Sequence, residues 1–379
     1  MRFGAFMPPV HPAKGNPTLA LERDLELVER LDRLGYDEVW FGEHHSTGWE
    51  IVPAPDLMVA TAAARTRRIR LGTGVVSLPY HHPFLVTDRM VLLDHLTRGR
   101  AIFGVGPGAL PSDSHMLGLD PRRQRAMLAE GMEVVAKLLA GETVSAETDW
   151  FTLRDASLQV LPYSQPTMEI VVAAMTSPSG PELAGGLGAG LISIGATHQG
   201  GFDVLGDHWK LMEERAEAAG TTVARERWRL VGPMHIAATE EQARAEVAFG
   251  LEDWFDYFRR VNALPLAGEG TTREEMIDSL NAEGLGVIGT PEMACAQIDR
   301  LLGHTGGFGT YVFMTHDWAD REATARSYEL IADRVFPRYQ GSAEPRLRSD
   351  RWVAENRAGF IEKAKSAVIA AIREGGGSK

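Results

Sequence analysis

Cysteine is nearly absent: Cys295 is the single thiol among 379 residues. One thiol cannot close an intramolecular disulfide or build a cysteine-rich metal site. Within a helical stretch it reads as a small buried hydrophobe. Positive charge is also in short supply. Lys and Arg number 39 against 51 Asp and Glu, a formal net charge of −12. Nucleic acids and anionic membranes both call for a basic face, so neither is an expected partner. Any bound phosphate must then be held by local donors. No apolar run approaches the roughly 18 residues that suggest a membrane span. The N-terminus lacks a long apolar stretch and is interrupted at Pro8 and Pro9. No secretory signal is expected, and the expected location is the cytoplasm. No internal repeat is visible.

What is present is the composition of a globular protein with a large core, 44% hydrophobic and 24% charged. Strand-like apolar runs alternate with helical periodicity. Strands are predicted at residues 2–7, 37–41, 69–78, 101–105, 169–173, 191–194, 228–237 and 309–315. Helices are predicted between them. In the first, Leu21, Leu25, Val28 and Leu31 recur at helical spacing and Gly35 follows as a stop. Near-continuous apolar strands suit a parallel sheet covered on both faces. Eight strands in βα alternation predict an α/β fold, a (β/α)8 TIM barrel. Residues 142–161 read as an inserted β-hairpin. A single helix is predicted from Thr239 to about Arg260, and another over 202–219. Residues 262–286 are polar and Gly-rich, and predict a long loop or lid excursion before the last βα unit. One barrel domain is expected over 1–340. Residues 341–379 are expected to form a helical extension, docked through Trp352 and Phe360, with a disordered Gly-Gly-Gly-Ser-Lys tail.

Barrel enzymes carry their chemistry at the C-terminal ends of the strands. Here the second strand runs into Glu43-His44-His45, and the third into Tyr80-His81-His82. Side chains alternate along a strand, so one histidine of each pair is expected to face the mouth. His44 and His82 are the ones assigned there as acid/base or orienting groups, with His45 facing structure. A metal is the competing use of these side chains. It is disfavoured because the histidines are adjacent and no His-x-His pair occurs on one strand face. Ser177, Ser179 and Gly180 lead into a helix, where hydroxyls and backbone N–H groups suit a phosphate. Arg122, Arg123 and Arg125 begin another helix. Gly72-Thr73-Gly74 within a strand signals close backbone approach or a bulge. Together these features point to a flat, phosphate-bearing cofactor across the mouth.

The opening Arg-Phe-Gly-Ala-Phe, the segment from Gly35 to His45, and Gly72-Thr73-Gly74-Val75 through His82-Pro83 carry a resemblance. So do Leu92-Leu93-Asp94 with Gly99-Arg100, the Phe103-Gly104 turn, the turn at 176–180 and Gly289-Thr290-Pro291-Glu292. In order and spacing the chain resembles the bacterial luciferase family of flavin-dependent monooxygenases, from Met1 to about Gln340. The resemblance implies a TIM barrel with a hairpin insertion. It also implies a two-component system, in which a separate NAD(P)H-dependent reductase supplies reduced FMN. The monooxygenase traps O2 as a flavin C4a-hydroperoxide and oxidises a substrate. It implies His44 as acid/base group, Asp113 near the pocket, and Thr73, Gly74 and Val75 along the isoalloxazine ring. Gly74–Val75 would be the family's non-proline cis peptide. Arg125, Ser177, Ser179 and Gly180 would hold the phosphate.

Gly106 and Pro107 stand where light-emitting members have Cys and Arg. The glycine is expected to leave room beside the flavin, and light emission is not expected. The Ser-rich turn and Tyr80-His81-His82-Pro83 resemble members of the limonene monooxygenase type, which act on medium-sized apolar terpenes or cyclic ketones. A homodimer is implied, through the helices at 55–65 and 85–96. Two alternatives remain from sequence: a deazaflavin-dependent oxidoreductase of the same fold, and a non-catalytic flavin-binding protein.

Overall fold

Apolar residues on both faces of a strand force it between helices. Arg2–Met7 (β1) carries Phe3, Ala5, Phe6 and Met7, all buried. In the computed structural model, which describes all residues except 9, 262–268 and 377–379, β1 is one of eight parallel strands that close a barrel. Glu38–Phe41 (β2), Arg70–Thr73 (β3), Ala101–Gly106 (β5) and Glu169–Ala174 (β8) follow on one side of it. Gly190–Ser193 (β9), Trp228–Ile236 (β10) and Thr310–Met314 (β12) complete the ring, because β9 also pairs β10. The short strand Val76–Ser77 (β4) continues the line of β3 and pairs β5. Val144–Glu147 (β6) and Thr152–Ala156 (β7) form the expected antiparallel hairpin. Val287–Gly289 (β11) adds to the far end of β10.

Helices cover the outside of the strands. Pro17–Leu34 (α1) starts where Asn16 accepts from the Thr18 and Leu19 N–H groups, and ends at Gly35, φ 87°. Pro55–Arg65 (α2) and Pro83–Thr97 (α3) both begin on proline at the first helical position. Pro111–Met116 (α4), Gln124–Leu139 (α5) and Ser179–Leu187 (α6) follow. The helix predicted over 202–219 is two, Gln199–Asp203 (α7) and Leu205–Ala219 (α8), interrupted at Val204.

The long helix predicted after Thr239 is also broken. Glu240–Glu246 (α9) and Leu251–Val261 (α10) flank a 3₁₀ turn. The break lies at Gly250, where an added Cβ would come within 2.1 Å of the Asp317 carbonyl. The polar stretch 262–286 is not all loop. Arg273–Glu283 (α11) is a helix with a Thr272–Glu275 capping box, burying Met276, Ile277 and Leu280. The part of the expected lid at 262–268 lies outside the described residues. Pro291–Thr305 (α12) and Arg321–Leu330 (α13) complete the ring. No helix among the described residues is long and apolar enough to cross a membrane.

Two compact units result, Met1–Val335 and Phe336–Lys379. The second contains Phe336–Gln340 (α14) and the 33-residue helix Glu344–Gly376 (α15). Trp352 and Phe360 are exposed on α15, and their rings meet each other at 5.0 Å. Most of the tail expected to be disordered, residues 377–379, lies outside the described residues.

The N-terminal end of the barrel is closed by charge. Arg229 is fully buried, with Nε 2.7 Å from Glu38 and Nη2 3.0 Å from Glu169. Arg70 joins Glu169 at 2.5 Å. These residues begin β10, β2, β8 and β3. A buried ion is tolerable only when so paired, because desolvation costs several kcal/mol per charge.

The strand predicted over 69–78 is interrupted. Gly74–Val75 is a cis peptide between β3 and β4, and residues 78–80 form a 3₁₀ turn. Across the interruption the ladder to β5 is completed by a side chain. Thr73 Oγ1 donates to Gly104 O at 2.8 Å and accepts from Gly104 N at 2.9 Å. Gly104 permits this approach, since an added Cβ would lie 1.9 Å from Thr73 O. Replacing Thr73 with Val strands a buried N–H and a buried C=O. Urea unfolding is expected to register a loss of about 2–4 kcal/mol, with Thr73→Ser close to wild type. Equal stability of the Val variant would contradict the bridging role.

Candidate functional site

The β2 strand ends at Phe41, and the next residues leave the sheet. Gly42 N still donates to Met7 O, but His44 N donates to Val52 O of a loop that doubles back. Strand alternation therefore stops before the two histidines, and both reach the rim. Each finds a buried carboxylate. Glu43, 3% exposed, takes His45 Nε2 at 3.0 Å and His81 Nε2 at 2.7 Å on one oxygen. Its other oxygen accepts Ser77 N at 2.7 Å. Asp113, in the first turn of α4, accepts His45 N at 3.2 Å and the Ser46 hydroxyl, and lies 3.1 Å from His44 Nδ1. On the opposite edge, His44 Nε2 is 2.9 Å from Glu50 Oε2.

These contacts shift the titration of His44, His45, Glu43 and Asp113. Burial alone would push the His44 pKa down, but hydrogen bonds and charge from Asp113 and Glu50 outweigh it and raise it to about 9. Burial would raise Glu43 and Asp113. Their imidazole and N–H donors hold both below the usual carboxylate range instead. His45 is raised by its bond to Glu43.

His82 stands apart from this cluster. It occupies the N-cap position of α3 without a side-chain capping bond, and its ring edge meets Phe151 beside the hairpin, 6.1 Å between centroids. Its Nδ1 is buried without a partner among the described residues. The turn at 78–80 rotates the pair, so His81 joins Glu43. His45, expected to face structure, also sits at the rim, its ring 5.8 Å from Tyr80.

Among the residues expected to hold a cofactor, Thr73 has its hydroxyl committed to Gly104, as above. Gly106 leaves no vacant space: an added Cβ would come 2.7 Å from Val75 Cγ2, so Val75 fills the room expected there. The 176–180 turn is compact. Ser177 and Ser179 hydroxyls are 2.9 Å apart, and Gly180 lets α6 approach β8, since a Cβ would lie 2.7 Å from Ala173 O. His208 on α8 is buried and bonds the Thr176 backbone. Helix α5 packs on α6. Of its neighbouring arginines, Arg122 pairs Asp120 and Arg123 pairs Asp149. Arg125 is exposed and has no acidic partner among the described residues.

Sequence reasoning missed Glu50, His81 in place of His82, Tyr257 and His208. Glu50 had a signal: it is the lone charge in Trp49-Glu50-Ile51-Val52. A cavity of about 710 Å³ runs along α1 and α13 past His11, Asp24 and Asp317 and touches neither the histidines nor the carboxylates of the rim.

A raised histidine pKa stabilises the folded state while the ring is protonated. That contribution is complete below the unfolded value of about 6.5 and is lost as pH rises through about 9. Calorimetry from pH 6.5 to 9.5 is expected to find a steeper fall in Tm for wild type than for His44→Gln. Parallel curves would contradict the charged ring.

Among known proteins, the chain is 52% identical to limonene 1,2-monooxygenase of Rhodococcus erythropolis over 346 residues, covering 91% of this chain and 88% of the relative. It is 44% identical to 4-hydroxyprotoasukamycin monooxygenase of Streptomyces nodosus subsp. asukaensis over 360 residues, 93% of this chain and 96% of the relative. The fold is that of the oxygenating constituent of 3,6-diketocamphane monooxygenase from Pseudomonas putida, a type II Baeyer–Villiger monooxygenase solved in complex with FMN. The TM-score is 0.74 at 24% identity, covering 89% of this chain and 98% of that one. Residues 1–307 match the luciferase-like monooxygenase family. A closed eight-stranded barrel with a carboxylate-clasped histidine rim, a match over most of the chain and a relative at 52% identity make the chain a member of that family and a monooxygenase.

Proposed function

We propose that this monooxygenase is the oxygenating half of a two-component, cytoplasmic system. It takes reduced FMN from a separate NAD(P)H-dependent reductase and uses O2 to oxidise a medium-sized apolar substrate of terpene or cyclic-ketone type. The observation that carries the reading is His44, clasped between the carboxylates of Asp113 and Glu50 at the barrel rim. The identity to limonene 1,2-monooxygenase supports the substrate class.

The residues present fit a flat cofactor with one phosphate. The Ser177–Ser179 hydroxyl pair opens the nine-residue α6, whose first-turn N–H groups favour an anion. Arg125 on the adjacent α5 supplies an uncommitted charge. The Gly74–Val75–Gly106 corner offers an apolar edge for the ring system. Bound reduced FMN would supply the two electrons by which one oxygen atom of O2 enters the substrate and the other leaves as water. His44, carrying protons on Nδ1 and Nε2, is the local proton donor for the departing oxygen: the Nε2 proton leaves Glu50 for that oxygen and the Nδ1 proton stays hydrogen-bonded to Asp113, which leaves the ring neutral. Asp113 keeps Nδ1 oriented. Thr73 holds β3 against β5, so that the Gly74–Val75 edge stays fixed.

A homodimer is part of the reading. Leu57 on α2 and Leu85, Leu92 and Leu96 on α3 are more than half exposed, a patch suited to a second copy. Light scattering on a sizing column is expected to give twice the chain mass for wild type and one chain mass for Leu92→Glu. A monomeric wild type would contradict it.

The function is tested with purified protein, reduced FMN, O2 and limonene or a bicyclic ketone. A product enlarged by one oxygen is expected. His44→Ala should lower kcat by about 10²-fold or more with FMN affinity kept. Ser177→Ala with Ser179→Ala, or Arg125→Ala, should weaken FMN about tenfold. Turnover without O2 on a deazaflavin, or an unchanged rate in His44→Ala, would overturn the reading.

A further inference from the structure

His44 is gripped from two sides, and the second grip is an acid with no obvious reason to be buried. Glu50 lies in the loop between β2 and α2, 7% exposed, within an otherwise apolar run. Its backbone is fixed by neighbours on either flank. Val10 and Glu50 form an antiparallel bridge, His11 N donates to Trp49 O at 2.9 Å, and His44 N donates to Val52 O at 3.0 Å. Its side chain is fixed at both oxygens. Oε2 meets His44 Nε2 at 2.9 Å, and Oε1 accepts the phenol hydroxyl of Tyr257.

Tyr257 comes from α10, more than 200 residues away along the chain. Since its proton goes to Glu50, its oxygen accepts from Thr47 Oγ1, 3.0 Å away. Thr47 has φ 75°, a conformation that β-branched residues rarely adopt, and this bond helps hold it there. The Tyr257 ring stacks on Trp49 at 4.9 Å and 20°. The phenol therefore cannot turn away from Glu50 without losing that stack.

A neutral imidazole has one N–H. With carboxylates at 2.9 and 3.1 Å on its two nitrogens, a neutral ring would set a lone pair against an anionic oxygen. Only the two-proton ring donates to both. The other charged and titratable groups around it do not alter this. His45 is taken by Glu43, Glu43 is shared with His81, and Tyr257 donates to Glu50.

We propose that Glu50, aimed by Tyr257, is a positioning residue that holds His44 as a two-proton donor with its ring plane fixed across the Asp113–Glu50 axis. It rests on the reading of His44 as the proton donor of the reaction. Glu50 touches His44 and not the reacting atoms, so its effect travels through the imidazole. Helix α10 is thereby tied to the reacting end of the site, and displacement of Tyr257 would loosen one of the two grips on the donor.

The test separates the positioning claim from the catalytic one. The first readout is 15N NMR of histidine-labelled full-length protein. In wild type both His44 nitrogens should carry protons at pH 8, where a free imidazole, with its pKa near about 6.5, is mostly neutral. A neutral tautomer at pH 8 overturns the proposal without any variant. In Glu50→Gln the His44 titration midpoint should fall by at least about one pH unit, with Glu50→Asp restoring part of the shift. An unmoved midpoint overturns the proposal.

The second readout is the kcat–pH profile with reduced FMN. The alkaline limb should move in Glu50→Gln by the same amount as the NMR midpoint, with FMN affinity unchanged. A moved midpoint with an unmoved rate profile leaves Glu50's hold on His44 standing and overturns the donor role given to His44. Tyr257→Phe should lower kcat about threefold to tenfold, as one lost hydrogen bond allows, at unchanged KM. A wild-type kcat there overturns the part given to Tyr257.

Discussion

Two buried carboxylates, Glu43 and Asp113, hold the working end of this barrel together. Each would be too costly to bury alone, since an unpaired ion in the interior loses several kcal/mol of hydration. Glu43 is stabilised by His45, His81 and Ser77 N, which come from the ends of β2 and β4 and the turn beyond. Asp113 is stabilised by His44, the His45 N–H and Ser46, which tie α4 to the loop after β2. Three connections that could otherwise splay are thereby drawn to one point. Asp113 raises the pKa of His44 and Glu43 that of His45, and the donors around the two carboxylates hold them below the usual range despite burial. At the opposite end of the barrel, Arg229 uses the same pairing with Glu38, fully out of water, and with the partly buried Glu169 to close the bottom.

The fold was legible because parallel strands covered on both faces leave a plain mark: short apolar runs such as Val39-Trp40-Phe41 between helical periodicities. The hairpin was legible for the opposite reason, as a break in that rhythm. What escaped depended on distant backbone. The kink before α10 arises because Gly250 passes against Asp317, a contact invisible along the sequence. Helix α11 hid in a Gly-rich, polar stretch whose capping box is only four residues wide. The Gly74–Val75 cis bond was accessible through family resemblance and not through composition.

At the site, residue types were easier to read than directions. Alternation assigns facing side chains only while a strand lasts. It fails one residue beyond β2, so His44 and His45 both reach carboxylates. It fails again at the 78–80 turn, so His81 takes the position expected of His82. Glu50 and Tyr257 escaped because their meaning lies in a contact across 207 positions. Thr73 and Gly106 also carry backbone geometry that composition does not show. Thr73 substitutes for a missing ladder bond, and Gly106 accepts the Val75 methyl, so the corner is tight where the glycine alone suggested room.

We propose that the clasped His44 rim, and not the groove along α1 and α13, is where a flavin works. A crystal structure of the protein with FMN bound tests this most directly. The phosphate is expected at Ser177, Ser179 and Arg125, and the ring system against Val75 and Gly106 with its edge toward His44. FMN seated in the groove beside His11, Asp24 and Asp317, or a phosphate remote from the 176–180 turn, would contradict it.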